Sequence, residues 1–296
     1  MASFPAFDSS RSIAIVGLGV MGTKVAWSCA SSGIPTRGFD INPSRAHEAV
    51  RLAQSWGDER AQRHVRANLA IVGSLAEAVH GAQLAFENVP EKSELKASVL
   101  AEIAATSDSL TYIGTNTSSL LCTPLAAASG RPERFFAMNF TDPRDMRLVE
   151  LMAPLASPFT LDFARQWARH LGMVAITVRR DQMGYSFNRL WRTIKKEVLR
   201  QIAEGASTPT DIDRCWMLAF GTPYGPCGLM DQIGLEGILA VELQYAMFSK
   251  NLDDRPPRFL YEMLEQGRVG VRGGRGFYNY PHPAYQEEGF LTNDEE

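Results

Sequence analysis

The chain has 296 residues with 30 basic and 33 acidic side chains, and its formal net charge at pH 7 is −3. This nearly even balance gives no reason to expect nucleic acid or an anionic membrane surface as a partner. No apolar run approaches the roughly 20 residues that a membrane-spanning helix needs. The longest candidate, residues 13–30, is interrupted by three glycines and a lysine.

The chain ends and the cysteines point to an ordinary intracellular protein. The first eleven residues lack the charged start and apolar core of a secretory signal, and they make a poor mitochondrial presequence. The last five residues match neither a peroxisomal nor an ER-retention signal. We therefore expect a cytoplasmic location. The four cysteines form no Cys-x-x-Cys pair, so we expect buried free thiols and no metal site.

Residues 12–181 alternate short apolar runs with helical patterns, which is typical of β-α-β units on a parallel sheet. The apolar runs predict strands over residues 12–16, 36–40, 84–89, 110–114, 135–138, 148–153 and 174–178. The helical patterns predict helices over residues 21–32, 44–54 and 58–69. After Asp181 no strand signal follows, and helices are predicted over residues 188–204, 210–220, 229–250 and 258–266.

A glycine-rich loop joins the first strand to the first helix and has the spacing Gly17-x-Gly19-x-x-Gly22. Asp40 closes the next strand, 23 residues after the first glycine. This arrangement is that of a dinucleotide site, in which a tight turn lets the pyrophosphate approach the backbone and the helix N-terminus. We expect the three glycines, Met21 and Asp40 to contact the cofactor.

The sequence thus predicts an α/β fold with a Rossmann-type dinucleotide-binding domain over residues 1–181. An all-α domain for substrate binding and dimerisation is predicted over residues 182–296. Asp40 would accept hydrogen bonds from ribose hydroxyls and repel a 2′-phosphate, so NAD(H) is favoured over NADP(H). Arg45 lies close enough in sequence to keep NADP(H) open.

The segment Asn139-Phe-Thr-Asp-Pro143, followed by Leu148-Val-Glu150, resembles the active-site segment of the L-3-hydroxyacyl-CoA dehydrogenase family. That family has roughly His-Phe-Phe-Asn-Pro followed by Leu-Val-Glu. The His is its general acid/base, and the Glu orients it. Here Asn139 occupies the His position and Asp142 the Asn position.

Five further segments resemble the same family in order, so that the resemblance runs from about Ser12 to Pro281. They are residues 86–96, 116–120, 183–189, 224–231 and 273–278. The resemblance implies that Glu91 and Lys96 line the cofactor cleft and that Asn116 contacts the nicotinamide ribose. It further implies that Ser118 bonds the reacting oxygen of the substrate and that Asn188 lies in the substrate pocket. It also implies a homodimer, for which the apolar residues of the helix over 229–250 could supply a face.

Two departures from the family bear on function. An asparagine cannot titrate, so Asn139 can only donate a hydrogen bond, as an oxyanion stabiliser would. Glu150 or a water would then have to move the proton. Asp142 and Tyr185 are further candidates for a substitute acid, and a buried carboxylate pair could share a proton. The span from Asp40 to Gly81 is also shorter than the Lys-rich arm with which family members hold CoA.

The leading interpretation is an NAD(H)-dependent oxidoreductase that transfers hydride to or from a 3-oxo or 3-hydroxy group. In it Ser118, Asn139, Glu150 and Asn188 are the expected catalytic residues, and the substrate is a small molecule or an acyl thioester. One alternative is an imine reductase, since a protonated C=N bond needs no further proton for hydride attack. The other is a non-catalytic NAD(H)-binding protein.

Overall fold

A computed structural model describes residues 4–292 of the chain, which divides into two compact units, Met1–Asn188 and Arg189–Glu296. Expectations about residues 1–3 and 293–296 lie outside the described range. Within residues 4–292, no helix combines the length and the apolar character that crossing a bilayer requires. Cys29, Cys122 and Cys227 are buried free thiols, whereas Cys215 is exposed.

The first unit is built on an eight-stranded sheet. Its strands are β1 (Ile13–Val16), β2 (Thr36–Phe39), β3 (Leu69–Ile71), β4 (Leu84–Glu87), β5 (Tyr112–Thr115), β6 (Phe135–Phe140), β7 (Leu148–Met152) and β8 (Val174–Val178). Their order across the sheet is β3-β2-β1-β4-β5-β6-β7-β8. Strands β1 to β6 are parallel, and β7 and β8 run in the opposite direction.

Seven complete α-helices accompany this sheet in the described part of the first unit. They are α1 (Val20–Ser31), α2 (Pro43–Ala53), α3 (Glu59–Asn68), α4 (Leu75–Val79), α5 (Ser93–Thr106), α6 (Cys122–Ala128) and α7 (Pro158–His170). Two apolar clusters, one containing Ile13 and Trp167 and the other Val16 and Leu100, form its core. A parallel sheet whose inner strands are buried and apolar needs such cover on both faces. This is the doubly wound α/β architecture that the sequence predicts.

The order of the strands reverses between β1 and β4, because the chain proceeds outward to β3 and then returns to the other side of β1. In open α/β sheets, ligands bind beside the carboxyl ends of the strands at such a switch point. The residues that follow β1, β4, β5 and β6 therefore lie where a site is expected.

The second unit is helical, as predicted. Helix α8 (Phe187–Ala203) ends in it, and α9 (Pro209–Phe220), α10 (Pro226–Ile233), α11 (Leu235–Ser249) and α12 (Arg258–Glu265) follow. The single helix predicted over residues 229–250 is wrong, since Gly234 separates α10 from α11 with a φ of 97°. That backbone conformation is open to glycine and strained for other residues.

Two buried aspartates tie the helices of the second unit to the chain that follows them. Asp213 accepts hydrogen bonds from the backbone N–H groups of Cys227 and Gly228. Asp231 accepts from the backbone of Phe277 and Tyr278 and from the hydroxyl of Tyr280. Burial raises the pKa of both carboxyls, although these hydrogen bonds oppose the rise. The donors satisfy groups that would otherwise be costly to bury.

Candidate active site

The loop between β1 and α1 has the geometry of a phosphate-binding turn. Gly17 has a φ of 89°, and its N–H bonds the Phe39 carbonyl at the end of β2. A Cβ on Gly22 would lie 1.9 Å from the Gly17 carbonyl oxygen, so only glycine lets the helix approach the turn. A Cβ on Gly19 would meet no described atom within 4 Å. The loop therefore has no space for a side chain where Gly17 and Gly22 meet, whereas the space beside Gly19 is open.

The N-terminus of α1 is available to an anion. Gly19 is the N-cap residue, no side chain caps the helix, and the first turn holds no acidic residue. The unpaired N–H groups and the dipole of such a terminus favour a negatively charged group. Met21 lies in this first turn and is partly buried against the core.

Asp40 lies beside the glycine loop at the end of β2. One of its oxygens accepts from the Leu18 N–H at 2.8 Å, and the other accepts from the Asn42 N–H at 2.8 Å. Arg45 is an ion-pair partner at 3.8 Å, and its side chain is about half exposed. A cleft of about 230 Å³ opens next to Asp40, and Pro43, Ala46, His47, Ile71, Val72 and Gly73 complete its lining. The neighbouring Ile41 is 91% exposed, which presents apolar surface at this edge of the sheet.

Lys96 and Glu87 form a buried ion pair behind the switch point. Neither side chain has exposed surface, and the Lys96 ammonium lies 2.9 Å from Glu87 Oε1. The ammonium also donates to the carbonyls of Val89 and Asn116. Burial raises the pKa of Glu87, and the charge of Lys96 together with the Thr115 hydroxyl only partly offsets that rise. The pair fixes the chain after β4 against the chain after β5.

Glu91 holds the turn that carries Ser118. Its Oε1 accepts from the Thr117 hydroxyl, from the N–H groups of Ser118 and Ser119, and from the Ser119 hydroxyl. Burial raises the pKa of Glu91, but these hydrogen bonds and the nearby Lys96 outweigh burial and leave the pKa lowered. The ionised form of the Glu91 carboxyl is therefore stabilised. Ser118 itself is exposed.

Asn116 connects this turn to β6. Its amide nitrogen donates to the Asn88 side chain at 3.0 Å, and its Oδ1 accepts from the Phe140 N–H at 3.3 Å. The predicted residues Glu91, Lys96, Asn116 and Ser118 thus belong to one connected set of contacts. Lys96, being fully buried, reaches the cleft only through the groups that it bonds.

Asn139 and Glu150 are directly paired across β6 and β7, in the register that places them opposite each other. The Asn139 amide nitrogen donates to Glu150 Oε2 at 3.2 Å. Glu150 Oε1 accepts from the N–H groups of Ser186 and Phe187 at 2.8 and 2.9 Å, at the start of α8. Both residues are buried. Asn188 follows one residue later and is half-buried. Its side chain has no hydrogen bond to the other predicted site residues of the described chain.

Two of the candidate substitute acids do not serve as such in this geometry. Asp142 pairs with Lys24 and with Arg144, both at 2.7 Å, and the Arg144 hydrogen bonds hold its pKa well below the usual range. It therefore shares no proton with Glu150. Tyr185 has no exposed surface, and burial raises its pKa well above the ordinary value.

Two family models together cover the chain from residue 12 to residue 280. The model of the 3-hydroxyacyl-CoA dehydrogenase NAD-binding domain matches residues 12–182, and that of the C-terminal domain matches residues 184–280. The chain belongs to the 3-hydroxyacyl-CoA dehydrogenase family. It is thus an NAD-dependent oxidoreductase by family, as the resemblance implied.

Named relatives from bacteria agree with this assignment. The 5-formyl-3-hydroxy-2-methylpyridine 4-carboxylate 5-dehydrogenase of Mesorhizobium japonicum is 29% identical, with 91% of each chain covered. A probable 3-hydroxybutyryl-CoA dehydrogenase of Bacillus subtilis is 30% identical over 91% of this chain and 97% of its own. The crystal structure of (S)-3-hydroxybutyryl-CoA dehydrogenase PaaH1 from Ralstonia eutropha has a TM-score of 0.82 and 29% identity. It covers 93% of this chain and all of that one.

Sequence reasoning missed Glu87, although a signal for it was present. A charged residue at the end of a buried apolar strand needs a partner, because an isolated buried charge is very costly. The partner, Lys96, is nine residues away on α5, a helix that was not predicted from the sequence. From the interior, Lys96 bonds Glu87 and the carbonyls of Val89 and Asn116.

Proposed function

We propose that the chain transfers hydride between NAD(H) and the oxo- or hydroxy-bearing carbon of a small substrate, at the carboxyl ends of β4, β5 and β6. The observation that carries the proposal is the glycine loop, with open space at Gly19, an uncapped helix N-terminus and the Asp40 carboxylate beside it. These features fit a pyrophosphate and an adenosine ribose. Bound there, the cofactor supplies the hydride carrier.

Asp40 gives the site a preference for NAD(H) over NADP(H). In this proposal its carboxylate accepts hydrogen bonds from the ribose hydroxyls, and a 2′-phosphate there would face a negative charge. Arg45 only weakly reduces the repulsion of a 2′-phosphate by Asp40, since its closest nitrogen is 3.8 Å from Asp40 Oδ1 and its side chain is about half exposed. The cleft beside Asp40 and the exposed Ile41 offer an apolar place for the adenine ring.

The substrate end of the proposed site is formed by Ser118, Asn139, Glu150 and Asn188. The Ser118 hydroxyl is exposed and can bond a reacting oxygen. Asn139 cannot supply or accept a proton, so Glu150 or a water takes over proton transfer for a carbonyl substrate. The short arm of α2 and α3 favours a substrate that is held less through CoA than in other members. The similarity to a relative named as a pyridine carboxylate dehydrogenase supports a small-molecule substrate.

The test combines NADH binding with turnover. NADH fluorescence titration should give saturable binding, and NADH absorbance should fall with acetoacetyl-CoA or with free 3-oxo acids. Ser118→Ala and Asn188→Ala should reduce turnover while leaving NADH binding intact. His80→Asn, an exposed residue distant in sequence from these segments, is the control. Binding without turnover of any substrate would support a non-catalytic NAD(H)-binding protein instead.

A homodimer through the second unit is part of the same proposal. Leu235 and Ile238 of α11 pack into the core of their own unit, so this part of the helix is not available to a partner. Val241, Leu243, Met247 and Phe248 are exposed on the same helix, Val241 and Phe248 on one side of it, and they are the apolar side chains that a partner could cover. Light scattering should give twice the chain mass, and Phe248→Glu should shift it toward the monomer. The expected cytoplasmic location is likewise retained as a proposal.

A further inference from the structure

We infer that Glu150 is a positioning residue, which holds the start of α8 and thereby sets where Asn188 stands relative to Asn139, and that it is not the proton-transfer group. The inference rests on the proposed function, because the placement of these two amides matters only if both meet the substrate. It depends on how strand β7 holds the turn that precedes α8.

The turn before α8 is attached to β7 at two places. Glu150 Oε1 accepts from the N–H groups of Ser186 and Phe187 at 2.8 and 2.9 Å. Met152 lies two residues farther along the strand, and side chains at this spacing point to the same face. Its sulfur accepts from the Gln182 N–H at 3.4 Å. Both ends of the turn are therefore bonded to one face of β7.

The backbone of this turn has a conformation that needs such support. Gly184 and Tyr185 both have left-handed φ angles, of 76° and 52°. A non-glycine residue in this region is unfavourable and persists only where the surrounding structure fixes it. The Tyr185 side chain has no exposed surface and packs in the apolar cluster that contains Met152 and Val178. The start of α8 is consequently held at one place.

Glu150 acts on α8 as a capping side chain does, although it comes from a distant strand. The first N–H groups of a helix have no acceptor within the helix, and an acceptor placed there stabilises the helix start. Asn188 directly follows Phe187 and is half-buried. None of the hydrogen bonds of the described chain joins its side chain to Asn139 or Glu150. Its position is therefore set by the backbone that Glu150 holds.

The same carboxyl group also reaches Asn139. Glu150 Oε2 lies 3.2 Å from the Asn139 amide nitrogen, and the register of β6 and β7 places the two residues opposite each other. One oxygen thus serves position 139 and the other serves the start of α8. This role does not depend on charge, because a protonated carboxyl group keeps an oxygen that can accept the two N–H groups.

These contacts leave Glu150 little capacity for proton transfer. Its side chain is 1% exposed, and both of its oxygens have partners. A group that moves a proton has to reach the substrate or a water that contacts it. Of the two routes for the proton, the water is the one that remains. In reduction, the carbonyl carbon accepts hydride from NADH and the oxygen takes a proton from water, which leaves NAD⁺ and a hydroxide that the solvent neutralises.

The first experiment compares Glu150→Gln, which keeps an accepting oxygen, with Glu150→Leu, which has a similar size and keeps none. Glu102→Leu, at an exposed position of α5, is the matched control. Hydrogen exchange resolved to single amides should be about tenfold or more faster at Ser186 and Phe187 in Glu150→Leu, because each amide loses its acceptor. Glu150→Gln and the control should exchange like the wild type. Equal protection of these amides in Glu150→Leu and the wild type would overturn the inference.

Kinetics separates positioning from proton transfer, with whichever of acetoacetate and acetoacetyl-CoA the wild type reduces faster. Glu150→Leu should raise KM about tenfold or more, since the substrate loses a well-placed amide. Glu150→Gln should keep kcat, KM and the pH profile of kcat/KM close to those of the wild type. Loss of a proton-transfer group costs about 10²–10⁴ in rate. A loss of that size in Glu150→Gln, or a limb missing from its pH profile, would overturn the inference and leave the proposed function standing.

A double-mutant cycle tests whether Glu150 acts through Asn188. Glu150→Leu should cost little further kcat/KM once Asn188→Ala is present, because residues that act as one unit are not additive. Additive losses would contradict the inference. If Glu150→Leu fails to bind NADH, the pH profile of Glu150→Gln decides. If the wild type binds NADH and reduces neither substrate, the proposed function is refuted, and the exchange of the Ser186 and Phe187 amides decides on the positioning role.

Discussion

Replacing Lys96 with methionine tests whether the buried ion pair behind the switch point maintains the site. The substitution keeps the length of the side chain and removes an ammonium that bonds Glu87 and two backbone carbonyls. Both partners are fully buried, so the change leaves a carboxylate without a cation in the interior. Breaking such a pair costs about 3–5 kcal/mol. Against a typical total of about 5–15 kcal/mol for a folded protein, this is a large fraction.

The loss should depend on pH in a definite direction. Burial raises the pKa of Glu87 above its ordinary value of 4.5 even with Lys96 present. The stability contributed by a group with a raised pKa is complete below its ordinary value and is lost as the pH rises through the raised value. Without Lys96 the pKa rises further. The difference in unfolding free energy between the wild type and Lys96→Met should therefore be larger at pH 8 than at pH 5.

Hydrogen exchange of the β4 and β5 amides is the suitable assay, supported by urea unfolding, because a chain of two units need not unfold in one transition. The matched control is the double variant Glu87→Gln with Lys96→Met, which removes both charges. It should be more stable than Lys96→Met alone. A cost below about 1 kcal/mol for the single variant, or a double variant that is no more stable, would refute the reasoning.

Three further predictions concern the glycine loop, Asp40 and the second unit. Gly22→Ala should lower the Tm and abolish NADH binding, because its Cβ would lie 1.9 Å from a backbone oxygen. Gly19→Ala should keep the Tm and weaken NADH binding about tenfold, measured by fluorescence titration. Asp40→Ser should raise the ratio of NADPH to NADH affinity by about tenfold or more, and an unchanged ratio would contradict the role given to that charge. Asp231→Ala should destabilise the second unit by about 3 kcal/mol or more, measured by urea unfolding, since three donors lose their acceptor.

Much of the sheet could be predicted from the sequence because each of its central strands is a short apolar run between turn residues. Strand β8 was predicted at the bounds that it has, and β2 ends one residue before Asp40. Helix α7 was not predicted, although Ser157 caps it and Pro158 begins it. A serine followed by a proline is a local signal for a helix start, so the sequence does contain the information for α7. The helix boundary at Gly234 was harder to predict, because an isolated glycine also occurs inside helices.

The residues of the candidate site could be predicted from the sequence, but their hydrogen-bond partners could not. The spacing of motifs identified Asn139 and Glu150, yet no local pattern shows which end of an amide faces a carboxylate. The carboxylate is also held by Ser186 and Phe187, which are distant in sequence and donate to its other oxygen. For the same reason, the pairing of Asp142 with Lys24 could not be foreseen: it joins a turn after β6 to the middle of α1.

The pairing of β6 with β7 has an evolutionary consequence. Residues 139 and 150 are opposite each other by strand register, so whatever side chain stands at position 139 meets the same carboxylate. Codons for asparagine and histidine differ by a single base. A lineage could therefore exchange a titrating group for a neutral one, or restore it, in one mutational step and without refolding its surroundings. The backbone keeps the neighbour in place while the chemistry changes.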